Sequence, residues 1–140
     1  MTQEDKILIA KDLGSRLTNG LMLNIKGQDG PNLFDFDEEL YSVFIDGTYL
    51  SINDRGAGDE PGILEIRPYL RLLSSMTEDE RKEYKKVAPG LMFDYGIHLP
   101  YITRADWLNA HHFDYRGLIE KGLAIAVTDE HNPYIKQDAL

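Results

Sequence analysis

The sequence predicts an α+β fold: an N-terminal helix, a small antiparallel sheet and two C-terminal helices. They form one compact domain over residues 1–128, followed by a polar tail, 129–140. Three observations carry this prediction. An apolar stripe of helical period opens the chain, period-two runs bunch in its middle, and two helix-capping signatures follow them. Strands gathered centrally with helices outside mark α+β rather than alternating α/β. Four short antiparallel strands can curl up, so a small barrel is part of the expectation. At 140 residues the chain has the size of one domain.

Residues 2–18 read as the first helix. Thr2 caps it, Glu4 and Asp5 face the positive end of the helix dipole, and Ile9, Leu13 and Leu17 recur at four-residue spacing beside Ala10. Asn19-Gly20 supplies a left-handed stop. Leu21, Leu23 and Ile25 then alternate with Met22, Asn24 and Lys26, the pattern of a half-buried strand. Gly27 to Pro31 is turn chemistry. Asp35, Asp37, Glu38 and Glu39 follow as an acidic cluster interrupted by Phe34 and Phe36.

Tyr41, Val43 and Ile45 alternate up to Asp46-Gly47, and Thr48, Leu50 and Ile52 alternate after it, a hairpin signature. Asn53 to Gly62 reads as a loop. Ile63 to Ile66 makes one more short strand, which Pro68 ends or confines to an edge, because proline cannot donate to a ladder. Thr77 and Glu80 form a capping box for a surface helix reaching about Val87, with Pro89-Gly90 beyond it. Thr103 caps a last helix with Asp106 at its third position and Trp107, Leu108 and His111 on its inner side. Leu123, Ile125 and Val127 close with strand-like alternation, and the tail from Thr128 is expected to fray.

Composition narrows the function classes. Lys and Arg number 15 against 24 Asp and Glu, a net charge of −9. No third of the chain is basic, which argues against duplex nucleic acid as a partner. Cysteine is absent, removing thiol nucleophiles and thiolate zinc sites. No apolar run approaches the ~20 residues of a membrane span, and the acidic start is unlike a signal peptide. The expectation is a soluble cytoplasmic protein without a cofactor.

Three segments carry a resemblance. Lys11-Asp12-Leu13 stands with Arg16-Leu17 and Gly20. Arg67-Pro68-Tyr69-Leu70-Arg71 runs on through Ser74-Ser75-Met76-Thr77-Glu78. Asp106-Trp107-Leu108-Asn109-Ala110-His111-His112-Phe113-Asp114-Tyr115-Arg116-Gly117-Leu118-Ile119 is followed by Gly122-Leu123-Ala124. Together they resemble a small uncharacterised family of Bacteroidales bacteria and of their phages and mobile elements. The chain departs from that pattern at Gly14, Thr18-Asn19 and Leu72-Leu73. The resemblance transfers no functional residue. It implies a bacterial or phage-encoded cytoplasmic protein.

The candidate binding residues are Arg67, Tyr69, Arg71, His112, Asp114, Tyr115 and Arg116. On an extended segment Arg67, Tyr69 and Arg71 share one side, a set that suits a carboxylate, a phosphate or stacked bases. Alternatively the arginines clasp the abundant carboxylates. Asp114-Tyr115-Arg116-Gly117 reads as a turn that docks a partner or locks the two ends of the domain together. His111, His112 and Asp114 could serve a metal-dependent hydrolase, with His98 or His131 as a distant ligand. Adjacent helical positions diverge by roughly 100°, however, and metalloprotease spacing is absent. Ser74 and Ser75 lack a nucleophile elbow and suit turn duty.

No catalytic set is complete, and no catalytic or metal residue is assigned. The leading expectation is a non-enzymatic interaction or accessory protein, associated with a phage or mobile element, whose acidic surface meets a host or phage protein. The alternatives are a small single-stranded nucleic-acid module, using Arg67, Tyr69, Arg71 and Tyr49, and the hydrolase. Trp107, the only tryptophan, is expected to pack in the core, with the segment to Leu123 folding back over the strands.

Overall fold

The computed structural model describes residues 1–57, 64–87 and 103–135. Helix α1 spans Gln3–Gly14. Thr2 accepts from the Asp5 amide and Asp5 answers the Thr2 amide, a full capping box. The helix stops at Gly14, four residues earlier than the stripe suggests. Ile9 and Leu13 are buried, but Leu17 lies in the turns that follow and is exposed. Strand β1 (Met22–Asp29) pairs with β2 (Asn32–Glu39) around a Gly30-Pro31 turn, so Gly27 and Gln28 belong to strand, not turn. Gly30 holds the positive φ that this tight loop requires.

The acidic cluster is therefore a strand. Aspartate and glutamate are poor strand formers by propensity, but β2 is an outer strand. Its charges blunt an otherwise sticky edge.

Strands β3 (Val43–Asp46) and β4 (Tyr49–Ile52) form the expected hairpin, shifted by one residue. Asp46 pairs with Tyr49, so the loop is Gly47-Thr48. Asn53 and Asp54, both at positive φ, then turn β4 into β5 (Arg55–Gly56). Two consecutive positive-φ residues are the type I′ requirement, which Asn and Asp meet at low cost. These three strands make a sheet of their own. Among the described residues neither sheet closes, so the expected barrel is not found.

Strand β6 (Leu64–Leu72) corrects the reading of Pro68. It runs straight through the proline and is central: β1 flanks it antiparallel, and two short strands, β7 (Phe113–Asp114) and β8 (Ile125–Ala126), pair with it in parallel. The tolerance has a local cause. Leu23↔Pro68 is the last pair with β1, and pairing with β8 begins at Tyr69. The missing N–H falls where one neighbour hands over to the next. The Leu70 carbonyl accepts from Val127 while the Arg71 amide donates to His112. Successive residues face opposite ways, so β8 and β7 lie on opposite sides of β6.

Helix α2 (Glu78–Lys86) carries the predicted Thr77–Glu80 capping box and buries no residue. Helix α3 (Arg104–Ala110) carries the Thr103–Asp106 box. Gly58, Pro61, Gly62, Ile63, Ala88, Pro89-Gly90 and His98 lie outside the described residues.

The register divides the main sheet into two faces. Leu23, Ile25, Ile66 and Leu70 point inward, onto Ile9 and Leu13 of α1 and onto Leu50 and Ile52 of the small sheet, the main core. Arg71 and Phe113 point outward, where Phe113 joins Trp107, Leu108 and Val87 in a second cluster. Trp107 is wholly buried, between His111 at 3.9 Å and Phe113 at 5.8 Å, and its Nε1 donates to Glu83 at 3.1 Å. The tail is not free over its described length. Tyr134 donates to the Tyr69 carbonyl at 2.7 Å and accepts from the Met22 amide at 3.1 Å.

Sequence reasoning passed over a buried ion pair. Arg16 and Asp12, one helical turn apart, are both fully buried. Arg16 donates through Nε and Nη2 to the two Asp12 oxygens at 2.9 and 3.1 Å, and through Nη2 to the Phe113 carbonyl at 2.7 Å. Arg16→Ala strands Asp12 without its main partner and is expected to cost about 3–5 kcal/mol in urea denaturation. Lys11→Ala, on the exposed side of the same helix, stays within about 0.5 kcal/mol. Trp107→Ala costs about 3–5 kcal/mol. In the intact protein, tryptophan emission is blue-shifted and resists acrylamide quenching. A red, quenchable emission would contradict its place in the second cluster.

Candidate functional site

Of the seven candidate binding residues, four serve the architecture. Asp114 accepts from the amides of Arg116, Leu118 and Ile119 at 3.3, 3.0 and 2.9 Å, which fixes the turn after β7. Arg116 reaches back to Asp12 at 2.7 Å and so ties this turn to α1. That is the lock between the two ends of the chain. Tyr115 donates to Asn109 at 2.8 Å and lies under both Arg16 and Arg116. Arg71 is a clasp as well. It binds Glu80 through two hydrogen bonds of 2.8 and 2.7 Å and covers the Phe113 ring at 4.1 Å. That pair of hydrogen bonds from Arg71 holds the Glu80 carboxyl down at about 2.

His111 and His112 part company. His111 stacks on Trp107, and its Nδ1 lies 2.9 Å from the Trp107 carbonyl at the end of α3. His112 has positive φ and stacks face to face on Tyr134, 3.9 Å away. It lines a cavity of about 420 Å³ with Arg71, Thr128 and Asn132. Among the described residues no three His, Asp or Glu side chains gather as a metal site, and both Asp114 oxygens are held by backbone amides. Ser75 donates to the Leu72 carbonyl, the turn duty expected of it.

Arg67 and Tyr69 remain together. They line a groove of about 300 Å³ across the outward face of β2, β1 and β6, with Asn24, Asp35, Asp37, Lys26 and His131. The groove is the part of that face that α2 and α3 leave open. Tyr69 forms its inner wall. The side chain is almost wholly buried, and its hydroxyl donates to Asp37 at 2.8 Å. Burial, then the Asp37 carboxylate, raises its pKa above the usual phenol range. A ring so enclosed offers no open face for base stacking. With Arg71 committed to Glu80, the predicted Arg67, Tyr69 and Arg71 set does not form one surface. Asn24, Asp35 and Asp37 were missed as groove residues. The signal was there in their alternation, once the acidic cluster is recognised as a strand.

A second exposed feature belongs to the small sheet. Phe44 and Tyr49 share its outward face by register, and Tyr41 lies at its margin with its hydroxyl on the Asn53 carbonyl. Asp46 and Asp54 are exposed beside them. Comparison of the chain with known protein families, curated proteins and solved structures finds no match.

His112 gives the protein an acid-sensitive point. Burial, reinforced by the nearby charges of Arg16, His111 and Arg71, lowers its pKa from 6.5 to about 4. The unfolded chain thus binds the extra proton first. Stability conferred by the neutral ring is present above pH 6.5 and drains away as pH falls toward 4, by up to about 3 kcal/mol. His112→Asn, which suits the positive φ, is expected to flatten the urea-midpoint profile between pH 6.5 and 4.5. An unchanged slope would assign the acid sensitivity elsewhere.

Proposed function

We propose that the chain is a non-enzymatic interaction protein that docks on a basic protein surface through the outward face of β3, β4 and β5. One observation carries this reading. Tyr41, Phe44 and Tyr49 are 60%, 57% and 47% exposed, grouped on and beside one sheet face. Large aromatic side chains are the residues that most often anchor protein interfaces, and here they stand uncovered among the described residues. The partner's charge follows from the rim. Asp46 and Asp54 flank the aromatic group, and the chain carries −9 overall. Desolvation and then the Asp54 charge raise the Tyr41 pKa, and its hydroxyl donates to the Asn53 carbonyl. A positively charged partner gains from that field in both encounter rate and selectivity.

The resemblance supplies the setting, an accessory protein of a phage or mobile element whose partner is a host or phage protein. The docking face does not depend on it.

The test is affinity capture from a Bacteroidales lysate with the wild-type chain and with Phe44→Ser/Tyr49→Ser. Both positions are exposed, so the double variant keeps its circular dichroism spectrum. The wild type is expected to retain basic proteins that are released when salt rises from about 0.1 M to about 0.5 M, where exposed charges are screened. The variant loses them. Equal capture by both chains, or no basic protein among those retained, overturns the proposal.

A further inference from the structure

We infer that the groove across β2, β1 and β6 binds a small zwitterion, a molecule of amino-acid size carrying one ammonium and one carboxylate group. The inference rests on which polar atoms the groove uses internally and which it leaves over. Asn24 sits at the centre of the floor. Its amide nitrogen lies 2.6 Å from Asp35 and 3.1 Å from Asp37. Carboxylates only accept, so each of the two amide hydrogens is given to one aspartate. The Tyr69 hydroxyl gives its single proton to the same Asp37 oxygen. His131 Nε2, 3.1 Å from that hydroxyl, must therefore be the donor in their contact. The second oxygens of Asp35 and Asp37 receive no protein donor among the described residues. The bridging amide holds the two carboxylates side by side on the lining of the groove.

The opposite charge stands across the groove. Arg67 pairs with Asn24 in the β1–β6 register and lines the same cavity. Its Nε is buried without a hydrogen-bond partner among the described residues. Arg16, Arg55, Arg71 and Arg116 each hold a carboxylate. Among the described residues Arg67 holds none, although two aspartates line its own groove. A buried N–H without an acceptor is costly to keep. Lys26 adds a second positive charge to the lining.

Charges of opposite sign select the ligand: Arg67 on β6 and Asp37 on β2 flank Asn24 in register, and Lys26 stands opposite Asp35. An anion on Arg67 alone would meet Asp35 and Asp37. A cation on the aspartates alone would meet Arg67 and Lys26. A molecule with both charges satisfies both, and a charge-assisted hydrogen bond forms at each end. A volume near 300 Å³ is at the small end of ligand sites. Phe36, Ile125 and the Tyr69 ring give the lining its apolar surface, which suits a short aliphatic body. The inference stands apart from the docking face, which lies on the other sheet.

The experiment is a proton–nitrogen NMR titration of the full chain with L-alanine and with 4-aminobutyrate. Acetate and ethylammonium serve as single-charge controls. The expected result is saturable movement of the Arg67 Nε–H and Asn24 side-chain amide signals with at least one zwitterion, and none with either control at equal concentration. Arg67→Gln and Asp35→Asn each weaken binding about tenfold or more, the loss expected for one charged contact. Asp35→Asn is exposed and keeps the oxygen that faces Asn24, so its spectrum stays dispersed. The inference falls if neither zwitterion gives a saturable shift up to roughly 50 mM, a bound well above the affinities of specific small-ligand sites. It also falls if acetate or ethylammonium binds as tightly as the zwitterions, which would make this a single-charge site.

Discussion

The buried pairing of Asp12 with Arg16 is the interaction around which the other parts are arranged. Three stretches of chain meet there: the last turn of α1, the carbonyl of Phe113 in β7, and Arg116 in the turn beyond it. Taking both charges out of water is costly, and the attraction alone does not guarantee a net gain. The geometry offsets part of that cost, while Arg16 Nη1 stays buried without a partner among the described residues. Asp12 receives three charged N–H donors, and Arg16 also serves a backbone carbonyl inside the protein. Apolar residues could fill the same volume, but they would not impose direction. Here the ion pair aligns α1 with β7, while Gln3 and Lys6 hold the other end of the helix to the carbonyls of Gly47 and Thr48.

With α1 fixed at both ends, the main sheet has one face filled by the principal core and one face shared between uses. The half nearer β7 is covered by Trp107, Phe113 and their neighbours. The half nearer β2 stays open and polar. Tyr69 stands at the boundary, with Tyr134 and His131 of the returning C-terminal segment attached to it. The groove owes its depth to this division. Its floor is ordinary β-sheet, and its end wall is chain that sequence reasoning had assigned to a frayed tail.

How much of this was legible depended on whether the signal was local. Capping boxes at Thr2, Thr77 and Thr103 are read within four residues, and all three helix starts appear where the sequence puts them. The β3–β4 hairpin was found for the same reason. What failed needed long-range information. Strand β2 was read only as an acidic cluster, because its strand character comes from pairing with β1 and its place at an edge. Pro68 looked like a terminator because proline removes a donor, and only the handover between β1 and β8 shows that the donor is not missed. Among site residues, Arg67 and Tyr69 were placed on one side as expected. The alternation that added Arg71 to them could not reveal that Glu80 would take it. Arg16 was visible only as part of a resemblance, since nothing in its neighbours marks an arginine for complete burial.

The handover at Pro68 has a consequence for the order in which the molecule can be assembled. Strands β1 and β2, and likewise β3 and β4, are joined by two-residue turns and can pair as soon as each hairpin is made. Strand β6 cannot complete its neighbours in that way. Its parallel partners lie at Phe113 and Ile125, and closing such long intervening loops carries an entropy cost that local hairpins avoid. On a ribosome, where the chain emerges from its N-terminus, β6 must wait for its β7 pairing until Asp114 has been released and for its β8 pairing until Ala126 has. During that interval, the charged β2 edge is the part of the nascent sheet already protected against pairing with the wrong chain.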